Sequence, residues 1–128
     1  MESRGRYLMH CFLAGCLASS AGISAKLISS PALPTPLLAP HIRTGLCVTS
    51  LVVCNVLMWL NFTTAMQGMR TVTATSATTT VNFLVSGLAG QVLFGEVLSL
   101  SWWVGISLII SGVILLNSDQ IEEKVKAL

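Results

Sequence analysis

The sequence predicts an all-α polytopic membrane protein with four transmembrane helices. The chain is 53% hydrophobic and only 9% charged, with a mean hydropathy of +0.79. A soluble domain carries roughly 25% charged residues, so a chain this apolar does not cover itself with polar side chains in water. No charged residue lies between Arg43 and Arg70 or between Glu96 and Asp119. Such gaps are typical of segments in hydrocarbon, where a central ion costs about 2.5–3.5 kcal/mol.

The apolar segments form one predicted domain, residues 7–116, between a cytosolic N-terminus 1–6 and a cytosolic tail 117–128. The predicted spans are residues 7–28, 45–66, 72–94 and 102–116. The longest predicted loop, 29–44, contains all four prolines, and proline removes backbone donors that a helix in lipid needs. The first span also resembles a secretory signal peptide, but its apolar character continues to Ile28, which favours a retained helix.

The distribution of basic residues predicts the orientation. Four spans place both termini on the same side of the membrane, and the side richer in lysine and arginine is cytosolic. The predicted terminal side carries more basic residues than the opposite side, which has Lys26 and Arg43. Those on the terminal side are Arg4, Arg6, Arg70, Lys124 and Lys126. We therefore expect both termini in the cytosol, with Lys26 reaching the headgroup layer from the far end of the first span.

The third span carries a stripe of polar side chains. Thr71, Thr75, Thr78, Asn82 and Ser86 recur at positions that share one helical face. Such a stripe is poorly matched to lipid and is expected to face other helices or a water-filled cavity. Two interpretations remain open. The hydroxyls bond their own helix and allow close packing, or the stripe lines a ligand cavity.

Small residues are spaced for close helix contact in the first and fourth spans. Gly15, Ser19 and Gly22 lie in the first span, and Gly105 and Gly112 in the fourth. In membranes, small residues at such spacings let helix backbones approach closely. These five positions are therefore predicted to serve helix packing.

Glu96 is the only acidic residue between Glu2 and Asp119, and it follows Gly95 at the end of the third span. A carboxylate at this position is expected to reach lipid headgroups or to accept hydrogen bonds from the start of the fourth helix. Proton coupling is the alternative role.

Several motifs together resemble the drug/metabolite transporter superfamily. Four segments of the chain together resemble the last two helices of an EamA-like repeat. They are Val92–Glu96 (VLFGE), Leu98-Ser99, Trp102–Gly105 (WWVG) and Gly112–Leu116 (GVILL). The helix before them resembles Asn55–Trp59 (NVLMW) with Thr64-Ala65, and Ser24–Leu27 fits the end of the first helix. A single four-helix unit with a long first loop is most similar to the transmembrane protein 42 family. The resemblance implies an EamA-like half bundle that pairs to complete a transport pathway, with Gly95 and Glu96 as its most specific turn.

The four-helix small multidrug resistance proteins are similar in size but differ at two positions. Their first helix carries a glutamate that binds protons and cations, and the matching position here is Ser19. The aromatic residue of their third helix matches Thr78. Both departures argue against proton-coupled export of cationic drugs.

The C-terminal tail is similar to a dilysine retrieval signal. It ends Lys124-Val-Lys126-Ala-Leu128, in the pattern by which membrane proteins are returned to the endoplasmic reticulum. The signal acts only on a cytosolic tail, which is where the charge distribution places this one. The resemblance implies the endoplasmic reticulum or an early secretory membrane.

Together these observations predict a transporter or half-transporter of a small metabolite, acting as a homo- or hetero-oligomer in the lipid bilayer. We expect a polar, neutral substrate or a metabolite rather than a cation, because the spans offer no buried charge to bind a cation. The alternative is a non-transporting scaffold or a subunit of a larger membrane complex. No paired carboxylates, HExxH or Gly-x-Ser-x-Gly motif indicates an enzyme. No cofactor or metal spacing is present, and the net charge of +2 does not indicate nucleic-acid binding.

Overall fold

The computed structural model of the protein is all-α and describes residues 2–29 and 40–126. Its helices are α1 (Glu2–Ser29), α2 (Pro40–Gly68), α3 (Thr71–Phe94) and α4 (Leu100–Lys126). Each helix contains the corresponding predicted span and extends beyond it. The all-helical prediction with four helices is therefore confirmed for the described residues.

The loop between α1 and α2 is shorter than the predicted loop 29–44. Ser29 belongs to α1, and α2 begins at Pro40, so residues 40–44 are helical. A proline fits the first turn of a helix, because a backbone N–H there would have no partner within the helix and the ring already sets the helical φ. The remaining residues of the predicted loop, 30–39, lie outside the described residues.

The end of α3 is set by a left-handed glycine. Gly95 has φ +65° and ψ +24°, a conformation that residues with a Cβ rarely adopt. Its N–H donates to the carbonyl oxygen of Gln91 at 3.1 Å, and the N–H of Glu96 donates to the carbonyl oxygen of Gly90 at 3.2 Å. These bonds satisfy carbonyls that the helix end leaves free. The chain therefore turns back sharply, and Glu96 is held beside the last turn of α3.

The helices differ in whether they can cross a bilayer. Three are long and apolar enough by length and composition, within Gly5–Ser29, His41–Gly68 and Thr71–Phe94. The apolar part of α4, Leu100–Leu116, is shorter. At about 1.5 Å per residue it reaches about 26 Å, which is less than the roughly 30 Å of a hydrocarbon core. The length of its apolar part therefore supports a membrane span by α4 less strongly than the lengths of α1, α2 and α3 support theirs.

α1 is the central helix of the bundle. It packs against both α2 and α3, whereas the described part of α4 packs against α3 alone. Near one end of the bundle, Cys11 of α1, Ala65 of α2 and Ala74 of α3 form a buried core. α1 therefore has a neighbouring helix on two sides.

The outward surface of the bundle is apolar. No residue of the apolar window of α2 is buried, and Val52, Val56, Trp59 and Leu60 are all about half exposed. Apolar surface of this extent is unusual for a protein in water. It suits a helix whose outer face contacts lipid.

Candidate functional site

Two side-chain hydrogen bonds join α1 to α2. Near one end of the contact, Nδ1 of His10 donates to Oδ1 of Asn61 at 2.9 Å. Near the other end, the hydroxyls of Ser24 and Ser50 are 3.1 Å apart. A polar side chain on an apolar helix is satisfied best by a partner on the neighbouring helix, and such bonds contribute about 0.6 kcal/mol on average. The two bonds fix the register of α1 against α2.

The contact between α1 and α3 depends on small residues. Gly15 lies against α3, where a Cβ built on it would stand 2.6 Å from Cβ of Val81 and 2.8 Å from the carbonyl oxygen of Thr78. One turn further along α1, Ser19 is 1% exposed. Its hydroxyl lies 3.1 Å from that of Ser86. The two helices therefore run parallel and close together, with a polar contact following the glycine.

The predicted polar stripe of α3 does not form one continuous lining. Thr71 and Thr75 are exposed at the start of the helix. Thr78 is buried, and its hydroxyl lies beside the thiol of Cys11. Asn82 is half-buried, and its Oδ1 lies 3.2 Å from the hydroxyl of Ser86. The polar stripe is divided into exposed and covered residues because α1 covers only part of this face of α3.

An ion pair links the ends of α1 and α3. Lys26 Nζ bonds Oε1 of Glu96, and the same ammonium lies 4.4 Å from the ring centroid of Phe94. The two charged side chains are 43% and 51% exposed. A Cβ at Gly90 would stand 2.5 Å from the second carboxylate oxygen of Glu96. Glycine at position 90 therefore leaves room for the carboxylate to fold back toward α1.

The sequence predicts that Glu96 reaches lipid headgroups or accepts hydrogen bonds from the start of the fourth helix, and that Lys26 reaches the headgroup layer. The ion pair between them is a contact that neither prediction included. The start of α4 is bonded instead by Ser99, whose carbonyl oxygen accepts from the N–H of Trp102 at 3.0 Å. Ser99 is therefore the acceptor at the start of α4, and the carboxylate of Glu96 pairs with Lys26.

A pocket of about 290 Å³ lies between α1 and α3 at this ion pair. It combines two opposite charges, one hydroxyl, two apolar side chains and two glycines. These are Lys26, Glu96, Ser86, Ile23, Phe94, Gly22 and Gly90. Of the predicted cavity residues only Ser86 borders it, and Asn82 reaches it only through the Ser86 hydroxyl. Such a pocket can hold a small polar ligand against charges of both signs.

The predicted packing glycines have different surroundings. Gly15 lies in a close contact with α3, but a Cβ at Gly22, Gly105 or Gly112 would meet no atom within 4 Å. Gly22 lines the pocket at the ion pair. Gly105 lines a smaller apolar groove of about 180 Å³ with Phe83 and Trp102, between α3 and α4. Of the five residues predicted to serve helix packing, all of which are described, Gly15 and Ser19 are therefore the two that lie in a close contact between helices.

The predicted retrieval signal lies at the end of α4. The backbone is helical through Lys126, which includes Lys124. Residues 127 and 128, which complete the signal, lie outside the described residues.

Chemistry beyond the ion pair is sparse in the described residues. No group of three or more His, Cys, Asp or Glu side chains there could hold a metal ion.

No family model matches the chain, and no solved structure matches it.

Proposed function

We propose that this chain is an integral membrane protein that crosses the bilayer four times and works as one half of a small-molecule transporter. The pocket at Lys26 and Glu96 is the observation that carries this proposal. Ionisable side chains in membrane helices are costly, and they typically border substrate or ion pathways. Here two ionisable side chains, Lys26 near the end of α1 and Glu96 just after the end of α3, meet beside a pocket between the two helices.

A second copy or a related chain is needed to complete a pathway. The pocket is confined to one end of the α1–α3 contact, whereas a pathway must cross about 30 Å of hydrocarbon. Transporters built from repeated halves hold their substrate at the interface between the halves. The open side of the pocket and the apolar face of α4 supply surface for such an interface.

Uptake into vesicles tests the proposal. The purified protein is reconstituted, and uptake of a panel of radiolabelled polar metabolites is measured. We expect saturable uptake of a net-neutral metabolite, and we expect Glu96→Gln to reduce it about tenfold, a change of about 1.4 kcal/mol. Ser107→Ala is the matched control, because the Ser107 hydroxyl bonds only its own helix at the Trp103 carbonyl. Absence of uptake for every metabolite in the panel contradicts transport.

The number of spans and the orientation have a separate test. A glycosylation acceptor inserted beside Pro36 is expected to be modified in the lumen of the endoplasmic reticulum, and one placed after Leu128 is expected to remain unmodified. If α4 does not cross, the tail is carried to the luminal side and its acceptor becomes modified. Modification of both acceptors, detected as a shift on a gel that glycosidase reverses, would therefore leave three spans. Modification of the tail acceptor alone would contradict the orientation.

A scaffold or complex subunit is the second candidate. It is favoured by the largely uncovered faces of α2 and α4, since large apolar faces also serve as contacts with other membrane helices. A stable hetero-complex that co-purifies with the protein, together with absence of uptake, supports this role over transport. In either role we propose residence in the endoplasmic reticulum, which the dilysine pattern of Lys124 and Lys126 supports.

A further inference from the structure

We infer that the pocket between α1 and α3 binds a small zwitterion. For the cellular role of this site, the inference rests on the proposed function. The ligand carries a primary ammonium and a phosphate joined by a short linker. Two sources supply this chemistry: the headgroup of phosphatidylethanolamine in the membrane, and free phosphorylethanolamine in solution.

The charges of the pocket select for a zwitterion. Lys26 and Glu96 present one positive and one negative group at the same opening and are paired with each other when no ligand is bound. A ligand with a single charge would pair with only one of these two side chains and would leave the other without the partner it has in the native ion pair. A zwitterion replaces both halves of the ion pair at once, with phosphate on Lys26 and ammonium on Glu96.

The position of the pocket favours a headgroup. Lys26 lies three residues before the end of α1, and Glu96 lies two residues after the end of α3. If these helices cross a bilayer, that level is where the hydrocarbon meets the headgroups. Ile23 and Phe94 border the same pocket, so the carbon linker of the ligand meets apolar side chains between the two charges.

The size of the pocket fits a group of this kind. A volume of about 290 Å³ corresponds to roughly ten water molecules at about 30 Å³ each. It therefore has room for a headgroup or a small metabolite. Gly22 contributes to this space, since a Cβ built at that position would meet no atom within 4 Å.

Binding of four probes to the purified protein in a non-ionic detergent tests the ligand class. The probes are short-chain phosphatidylethanolamine, short-chain phosphatidylglycerol, phosphorylethanolamine and ethanolamine, titrated by calorimetry. We expect saturable binding of phosphatidylethanolamine and at least tenfold weaker binding of phosphatidylglycerol and of ethanolamine. If phosphorylethanolamine binds as tightly as the lipid, the free zwitterion is the ligand, and if it binds tenfold more weakly, the headgroup is. Equal binding of phosphatidylethanolamine and phosphatidylglycerol, or no binding of either zwitterion, overturns the inference.

Variants locate the site. We expect Lys26→Met and Glu96→Gln each to weaken phosphatidylethanolamine binding about tenfold, and Gly22→Val to abolish it by filling the pocket. Gly45→Val is the matched control, because a Cβ at Gly45 also meets no atom within 4 Å but lies outside the pocket. The double variant Lys26→Glu with Glu96→Lys keeps one charge of each sign. It is expected to bind phosphatidylethanolamine more tightly than Lys26→Met or Glu96→Gln. Unchanged affinity in Gly22→Val or Lys26→Met overturns the inference.

The same variants separate this inference from the proposed function. Zwitterion binding that depends on Lys26 without any uptake into vesicles keeps the site and contradicts transport. Uptake that Lys26→Met leaves unchanged keeps transport and overturns the site.

Discussion

Replacing Gly15 by leucine is expected to force α1 and α3 apart and to cost about 1–3 kcal/mol of stability. A Cβ alone would stand 2.6 Å from Cβ of Val81 and 2.8 Å from the carbonyl oxygen of Thr78, well inside the usual 3.5–4.0 Å separation of carbon atoms. The carbonyl is part of the α3 backbone and cannot move without the helix. The contact therefore opens rather than repacks.

Thermal unfolding in detergent and thiol labelling measure this effect. Cys11 lies one turn before Gly15 and is 1% exposed, so its labelling by a maleimide reports whether the contact is closed. Cys16, Cys47 and Cys54 are replaced by alanine to leave this one thiol. We expect a lower melting temperature and faster labelling in Gly15→Leu. In Gly45→Leu we expect neither, because that side chain enters open space and leucine favours the helix by about 1 kcal/mol over glycine. Equal behaviour of the two variants contradicts the close α1–α3 contact.

Reversing the charge of Lys26 is expected to have the second largest effect. Lys26→Glu removes the ion pair with Glu96 and the contact of the ammonium with Phe94, and it places two carboxylates side by side. Pairs as exposed as this one contribute about 0.2–1 kcal/mol, and like-charge repulsion adds to the loss, so we expect a cost of about 1–2 kcal/mol. The measurement is the melting temperature in detergent at low salt.

Salt is the control for this variant. Screening weakens both the attraction in the native pair and the repulsion in Lys26→Glu. The difference in melting temperature between the two proteins is therefore expected to shrink as salt is added. A salt-independent difference would assign the effect to lost side-chain packing rather than to charge.

The helices themselves follow from the sequence, because they depend on local properties. Long apolar segments without charges must satisfy their backbone groups internally when they lie in lipid, and only a helix does so within one segment. The prediction was wrong at the start of α2, where the rule that proline breaks a helix was applied to the first turn of a helix. Pro40 was assigned to a loop, although proline fits the first turn of a helix. The fourth span stays a prediction, because the apolar part of α4, Leu100–Leu116, is shorter than the apolar helices of the other three spans.

The candidate site could not be predicted in the same way, because it depends on which faces meet. Thr71, Thr75 and Thr78 share a helical face, yet only Thr78 is covered by α1. The pairing of Lys26 with Glu96 joins residues that are 70 positions apart. One signal for it was present. Each is the only residue of its sign across a long stretch of the chain, and two isolated opposite charges in apolar surroundings are expected to find each other.

The charge-swapped double variant tests the central claim most directly, namely that Lys26 and Glu96 hold the ends of α1 and α3 together beside the pocket. Lys26→Glu with Glu96→Lys restores two opposite charges at the same pair of positions. We predict that its melting temperature lies well above those of Lys26→Glu and Glu96→Lys and approaches that of the natural protein. If the two single losses simply add in the double variant, the residues do not interact, and the arrangement of α1 and α3 described above is contradicted.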